Sequence, residues 1–261
     1  MSQTFDCIAS VVVYDTSPQV LQECVNSFLD TKLKVKVYII DNSPTKGNYH
    51  FAQDDRIFYH FNHGRNVGYG KGNNIAIENA EPSKYFLILN PDVFIKDDAL
   101  EKTIHYMDMN PEIGISIPKV LNLDGTQQFL NKRHPNVLAL FVRRFIPRIF
   151  HGIFKSTLEN YEMRDLSQEE NYEVPFISGA FMLFRRDVLS MVKGFDPRYF
   201  LYFEDADICR EVQSRGYKTS YFAKANIVHL WKRAAHKDWK IAFIFITNMA
   251  RYFNKWGWSF F

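Results

Sequence analysis

Three stretches of this chain hold residues suited to chemistry: Asn90-Pro91-Asp92, Phe203-Glu204-Asp205-Ala206-Asp207, and a lone histidine, His229. The first reads as a carboxylate ending an apolar strand, the second as acids opening a helix, the third as a histidine closing a later strand. Carboxylate oxygens and an imidazole suit a divalent cation, and Mg2+ or Mn2+ is commonly held by one or two carboxylates together with substrate phosphates. A separate carboxylate can then act as base toward an incoming hydroxyl. Metal-assisted transfer from a nucleoside diphosphate requires this combination. Each piece also has a plainer use: Asp92 in a strand-ending turn, Glu204 and Asp205 as helix-capping acids, and His229 as a packed core residue in Ile227-Val228-His229-Leu230. The aromatic run Tyr199, Phe200, Tyr202 and Phe203 supplies a partly desolvated wall that raises a neighbouring carboxyl pKa, while the helix N-terminus opposes the shift.

The elements that must position these groups alternate between strand and helix over the first hundred residues. Ile8 to Tyr14 is a β-branched run stopping at Asp15-Thr16-Ser17-Pro18, where Ser17 is placed to cap a helix with Pro18 in its first turn. Leu21, Cys24, Val25 and Phe28 form that helix's apolar face. Val35 to Ile40, Arg56 to Phe61 and Tyr85 to Leu89 are further buried strands, with a helix near Asn73 to Ala80 between the last two. The order predicts an α/β fold with a mostly parallel central sheet flanked by helices. Ligands in such sheets bind at the carboxyl ends of the strands, where Asp15, Asp41 and Asp92 fall. Asp41 either accepts hydrogen bonds from a nucleobase imide or a ribose, or closes an Asx-type turn through Asn42-Ser43. In Asn66-Val67-Gly68-Tyr69-Gly70-Lys71-Gly72-Asn73-Asn74 the alternate glycines either let backbone approach phosphates at a helix N-terminus or form a flexible turn. The spacing is neither a dinucleotide fingerprint nor a P-loop. Beyond residue 112, Ile113 to Leu121 and Gly179 to Phe184 read as strands and Asp205 to Ser214 as a helix with Gly216 just past its end.

At 261 residues the chain is one large domain or a domain with an appendage. Its 16% aromatic content exceeds what a small polar binding module needs. The net charge of +3 hides an uneven distribution: Gly125 to Leu158 carries six Lys/Arg and no acid, and Lys232 to Lys255 carries six against Asp238 alone. Two basic segments on an acidic remainder suit an anionic partner surface. Cys7, Cys24 and Cys209 are scattered in apolar patterns, as buried thiols in a reducing cytosol would be. No signal peptide is evident, and apolar runs such as Ile241 to Ile246 fall far short of the ~18–20 residues that span a bilayer. The expectation is a soluble or peripheral protein, without internal repeats or low-complexity tracts.

The whole pattern resembles the inverting glycosyltransferases of family 2, with the GT-A nucleotide-diphospho-sugar transferase fold, and most of all the bacterial rhamnosyltransferases of surface-polysaccharide assembly. The resemblance runs from Ile8 to about Phe253. It rests on Asp41-Asn42, Asn66-x-Gly68, Leu89-Asn90-Pro91-Asp92-Val93, Ser178-Gly179-Ala180-Phe181-Met182, Gly194-Phe195-Asp196, Tyr202-Phe203-Glu204-Asp205-Ala206-Asp207-Ile208-Cys209 and Val228-His229. It implies that Asp41 contacts the nucleotide base, that Asp92 is the metal-binding end of a D-x-D-type motif, that His229 is a second metal ligand, and that Asp205 is the catalytic base. Asn90 stands where many members have the first Asp of D-x-D. It either binds through its amide oxygen or only shapes the turn.

The resemblance thus implies transfer of L-rhamnose from dTDP-rhamnose, with Mg2+ or Mn2+, to a polyprenyl-diphosphate-linked saccharide in O-antigen or capsule assembly. UDP-galactofuranose or a UDP-hexose is the alternative donor, and a non-catalytic nucleotide- or carbohydrate-binding subunit the rival of another class. The donor side comprises Tyr14, Asp41, Asn66, Gly68, Lys71 and Asp92, and the acceptor region Gly179, Ala180, Glu204 and Trp231. Residues 1–231 form the transferase domain, with a nucleotide-binding half (1–110), an acceptor and catalytic half (111–231) and a basic amphipathic insert (130–158). Residues 232–261 form a basic amphipathic helical extension. In the insert, Arg144, Arg148, His151 and Lys155 would stripe one helical face, with Leu138, Phe141, Phe145, Ile149 and Phe150 largely on others, although Pro147 must kink or divide that helix. With Phe243, Phe245, Phe253, Trp256 and Trp258 among the C-terminal basic residues, this composition suits peripheral attachment to the anionic inner face of the cytoplasmic membrane, or packing on the body or a second copy in a homodimer. No nucleic-acid partner is expected.

Overall fold

The computed structural model describes residues 4–49, 51, 54–230 and 239–261, omitting the Arg148 side chain. The first β-branched run becomes β1 (Phe5–Val13), followed by α1 (Pro18–Leu29), β2 (Val35–Asp41), β3 (Ile57–Phe61), α2 (Tyr69–Asn79), β4 (Ser83–Leu89), β5 (Val93–Ile95) and α3 (Ala99–Met109). The stripe Leu21, Cys24, Val25 and Phe28 buries α1 on the sheet as its spacing predicts. Ser17 occupies the N-cap position, but its side chain makes no capping bond. The second half holds β6 (Ile113–Leu121), α4 (Val137–Phe145), a 3-10 helix (Arg148–Phe154), α5 (Lys155–Tyr161), β7 (Tyr172–Glu173), β8 (Phe181–Arg185), α6 (Arg186–Val192), α7 (Glu204–Ser214), β9 (Lys218–His229) and α8 (Trp239–Trp256).

The described strands form one sheet in the order β3-β2-β1-β4-β8-β6-β9-β5, with β7 on β9. The first four pair in parallel. In the second half β8 enters antiparallel between β4 and β6, while β6 and β9 run parallel. Only Asn90-Pro91-Asp92 joins β4 to β5, yet three strands lie between them in the sheet. In a flat sheet that gap is about 19 Å at ~4.8 Å per strand, beyond the roughly 14 Å that four residue steps can reach. The sheet must therefore curl. An irregularity between Pro118 and Lys119, where the β9 partner jumps from Phe222 to Asn226, bends both strands. β5 then pairs with the far portion of β9, placing Val93 opposite His229. The curl thus carries the Asp92 turn to the end of β9.

The basic insert departs from a continuous helix. α4 stops at Phe145, Ile146 is extended (φ −83°, ψ 127°), and Pro147 separates α4 from the 3-10 helix. Proline lacks an N–H and disfavours helical backbone in the residue before it. Arg144, Arg148, His151 and Lys155 consequently lie on three different elements and form no single helical stripe.

α8 packs against α7 and the loop before it. Tyr252, Phe253 and Asn248 are buried, and Phe203 lies against the rings of Phe245 and Tyr252. Lys255 pairs with Asp207 and Glu211, each at 2.8 Å, and the Trp256 indole donates to Asp207 at 2.7 Å. Beyond the helix, the carbonyls of Ser259 and Phe260 accept from Val137 and Leu138. They satisfy orphan N–H groups in the first turn of α4, as the Asn136 side chain does for Ala139. No helix among the described residues is long and apolar enough to cross a membrane.

Candidate active site

β2 and β1 end together, with Val13 in register with Asp41, β4 stops about two residues short of them, and Tyr14 lies exposed just past β1. Asp41 is fully buried and realises the Asx turn: its carboxylate accepts from the Ser43 amide (2.9 Å), the Gly47 amide (3.1 Å) and the Tyr59 hydroxyl (2.5 Å). Burial pushes its pKa up, but these hydrogen bonds outweigh burial and hold the carboxyl below its ordinary value. The Ser43 hydroxyl supplies a further hydrogen bond, so the carboxylate is engaged within the protein.

α2 begins at Tyr69, four residues earlier than the sequence pattern suggests, so Gly70, Lys71 and Gly72 belong to its first turn. The alternate glycines mark close packing. Gly68 (φ +89°) approaches the Phe200 carbonyl so closely that a Cβ would lie 2.3 Å from that oxygen. Gly70 faces Phe195 and Glu204, and Gly72 faces Val12. The α2 N-terminus is thus wedged between β1 and the loop that delivers the acids of α7. Asn66 closes the preceding turn onto the Gly68 amide at 3.0 Å, and Lys71 points to solvent.

Asp92 and His229 meet across the β5–β9 pair, Asp92 Oδ1 lying 3.3 Å from His229 Nε2. His229 is buried and Asp92 partly exposed. Among the described residues no cluster of three or more His, Cys, Asp or Glu side chains could hold a metal. Two ligands, one a carboxylate facing solvent, fit a cation whose other ligands come from a diphosphate.

Asp205 stands at the start of α7, where Tyr202 (φ +69°) and Phe203 (φ +72°) both adopt left-handed backbone. Its Oδ2 accepts from the Gly179 amide at 3.1 Å. Burial raises its pKa, opposed by that hydrogen bond and by the Lys132 charge. Glu204 is more deeply buried, its Oε2 lacks a hydrogen-bond partner, and burial followed by the Asp205 charge drives its pKa well above the ordinary value. Asp205 therefore ionises first within the pair, and Glu204 stays protonated longer. Asp207 is engaged by Lys255 and Trp256 and faces away from this chemistry. The expected aromatic wall is divided: Phe200 is partly exposed, whereas Tyr199 bonds Asp207 and Phe203 faces α8.

Gly179 and Ala180 join the two halves of the site. The Ala180 carbonyl accepts from the Asn90 amide at 2.9 Å, and the Gly179 carbonyl accepts from the Tyr69 hydroxyl at 2.7 Å. Tyr69 is raised well above the ordinary tyrosine value by burial and by the charges of Glu204, Asp205 and Asp92. One phenol thus senses all three carboxylates, and residues 179–180 connect the Asp92 turn to Asp205. Trp231 lies outside the described residues.

Sequence reading missed three contributors. Lys132 is buried over the Phe176 ring, donates to the Leu130 carbonyl at 3.1 Å, and is pushed down to about 7 by burial and the Arg143 charge, with Asp205 opposing. Gln128 bonds both the ring and the carbonyl of His229. Asn248, on α8, donates to the carbonyls of Leu201 and Tyr202. Only Lys132 had a signal, as one of the six basic residues between Gly125 and Leu158.

Residues 9–192 match the family described as Glycosyl transferase family 2. The chain belongs to that family. It is 24% identical over 238 residues to the N-acetylglucosaminyl-diphospho-decaprenol L-rhamnosyltransferase of Mycobacterium tuberculosis (strain H37Rv), covering 87% of this chain and 76% of that protein. It is 28% identical over 177 residues to the rhamnosyltransferase WbbL of Escherichia coli (strain K12), covering 66% of this chain and 62% of that one. The fold is similar to GalNAc-T7 with UDP, GalNAc and Mn2+ (TM-score 0.65, 13% identity, 89% of this chain and 45% of that one). It is also similar to the mannosyltransferase PcManGT of Pyrobaculum calidifontis in complex with GDP-Man and Mn2+ (TM-score 0.58, 14% identity, 97% and 64%). This chain therefore spans less than two thirds of either solved chain. The architecture is a mixed α/β fold of the GT-A type.

Proposed function

We propose that this family 2 member is an inverting, metal-dependent rhamnosyltransferase that moves L-rhamnose from dTDP-rhamnose to a polyprenyl-diphosphate-linked saccharide. The observation carrying this reading is the Gly179–Ala180 bridge, bonded on one side to the Asp92 turn and on the other to Asp205. Asp92 and His229 hold Mg2+ or Mn2+, with Asn90 shaping the turn between β4 and β5. When bound, the cation neutralises charge developing on the leaving diphosphate. Asp41 at the end of β2 and Tyr14 just past β1 lie on the nucleobase side, and Asn66, Gly68 and Lys71 line the donor side. Asp205 takes the proton of the acceptor hydroxyl as that oxygen attacks the anomeric carbon from the face opposite the diphosphate. Glu204 Oε2 has no hydrogen-bond partner, whereas Asp205 is oriented by the Gly179 amide, so Asp205 is the acid set in place to accept that proton.

Residues 1–110 then form the donor half and 111–231 the acceptor half. The M. tuberculosis relative is named for a diphospho-decaprenol-linked substrate, which supports a lipid-linked acceptor and surface-polysaccharide assembly for this chain. Exposed Ile149, Phe150 and Ile153 on the 3-10 helix, and Trp239 and Phe243 on α8, supply apolar surface for peripheral contact with the inner face of the cytoplasmic membrane. The test is a nucleotide-sugar panel with and without chelator, followed by analysis of product anomeric configuration. The expected result is preferential, metal-dependent turnover of dTDP-rhamnose giving the inverted linkage. Preferential use of a UDP-sugar overturns the donor assignment, and full turnover in excess chelator overturns the metal.

A further inference from the structure

We propose that Gln128 is a positioning residue for His229, fixing the imidazole with its proton on Nδ1 so that the Nε2 lone pair faces Asp92. The assignment follows from hydrogen-bond direction along a chain of five side chains. The Asp124 carboxylate only accepts, so the Thr126 hydroxyl, 2.6 Å from Asp124 Oδ1, gives its single proton there. That hydroxyl must then accept from the Asn122 side chain at 2.8 Å, which places the amide nitrogen of Asn122 toward Thr126 and its oxygen toward Gln128. Asn122 Oδ1 lies 2.7 Å from Gln128 and needs a donor, so Gln128 presents Nε2. The other proton of that nitrogen goes to the His229 carbonyl, also at 2.7 Å. Gln128 Oε1 is left facing His229 Nδ1 at 3.0 Å, a contact that requires Nδ1–H.

Local folding builds this relay. After β6 the chain reverses through Asn122 to Gly125 and returns beside it, the Gln128 amide donating to the Val120 carbonyl, while Leu121 and Val228 are in register. Asp124 and Thr126 are exposed, but Gln128 and His229 are buried, and the His229 carbonyl, which only accepts, requires the Gln128 amide nitrogen by itself. Neutral Nε2 and Asp92 Oδ1 are then two acceptors 3.3 Å apart, an arrangement that a cation joins. Metal-bound histidines usually donate their second nitrogen in this way, and losing that partner costs about 10–100-fold in metal affinity. The purpose assigned to Gln128 rests on the metal reading above, whereas the tautomer stands on hydrogen bonds alone.

The experiment is long-range 1H–15N correlation on the full chain with 15N-labelled histidine rings, recorded at alkaline pH. The His229 signal is identified by its loss in His229→Gln. The expected spectrum has a protonated Nδ1 and a bare Nε2 in the wild type and loses that preference in Gln128→Met. In parallel, Mn2+ binding with saturating dTDP should weaken about 10–100-fold in Gln128→Met. A wild-type proton on Nε2 overturns the proposal, as does a folded Gln128→Met with unchanged tautomer and Mn2+ affinity. Should Gln128→Met not fold, the wild-type spectrum decides. A wild type that shows Nδ1–H yet binds no Mn2+ overturns the metal reading and the purpose assigned to Gln128, while supporting the tautomer.

Discussion

Glu204 and Asp205 are neighbours in the chain with the same functional group, and burial gives them different chemistry. Glu204 has no hydrogen bond on Oε2, whereas Asp205 gains the Gly179 amide and the Lys132 charge. A base is active when deprotonated, and burial raises Asp205, so kcat/KM should rise with pH through an acid limb above the ordinary aspartate value near ~4. The Lys132 charge lowers the Asp205 pKa. Lys132→Met therefore should move the acid limb to higher pH, leaving donor nucleotide affinity largely unchanged. A pH–rate profile of the variant checks this; an unmoved limb would mean that Lys132 serves only packing.

At the scale of elements, the base depends on a helix distant in sequence. Tyr202 and Phe203 both adopt left-handed backbone, at about 1–2 kcal/mol each. α8 offsets that strain: Asn248 donates to Leu201 and Tyr202, and Phe245 and Tyr252 pack on Phe203. Asn248→Ala removes hydrogen bonds worth about 1–2 kcal/mol, so kcat should drop roughly 5–30-fold while donor KM and the far-UV spectrum stay near wild type. Steady-state kinetics test this, and an unchanged kcat would show that the loop holds its shape without α8. None of this coupling is readable in advance. The parallel strands and the Leu21, Cys24, Val25 and Phe28 stripe are local patterns that sequence displays directly. The ends Asp41 and Asn90-Pro91-Asp92 follow from where the strands stop. The partners of His229 and Asp205, Gln128 and Lys132, lie 101 and 73 residues away in a segment with weak periodicity. Chain reversal after β6 brings Gln128 beside β9, and sequence spacing carries no trace of that. The alternate glycines 68, 70 and 72 stood out in sequence, but their neighbours, Phe200 for Gly68, Phe195 and Glu204 for Gly70, and Val12 for Gly72, did not.

At the scale of the molecule, most of the large apolar side chains left exposed among the described residues fall in the insert and in residues 239–261. Ile149 and Ile153 are 83% and 77% exposed, and Trp239 is 73% exposed. The α8 face that bears Tyr252 and Phe253 is buried against the body, so only part of each segment is free to meet a lipid surface. Vesicle co-sedimentation should show binding that needs anionic lipid, weakens at high salt, and drops in Ile149→Asp/Ile153→Asp/Lys155→Glu. Equal binding to neutral vesicles, or none to anionic ones, would point instead to burial against a second copy of the chain.

The central claim is that Asp205 takes the acceptor proton in a site whose donor half binds independently of it. Asp205→Asn keeps the side-chain shape and removes the proton acceptor. With dTDP-rhamnose, acceptor and metal supplied, turnover of this variant should fall by about 10²–10⁴, while dTDP affinity measured by calorimetry stays within a few-fold of wild type. Near-normal turnover in Asp205→Asn would contradict the account.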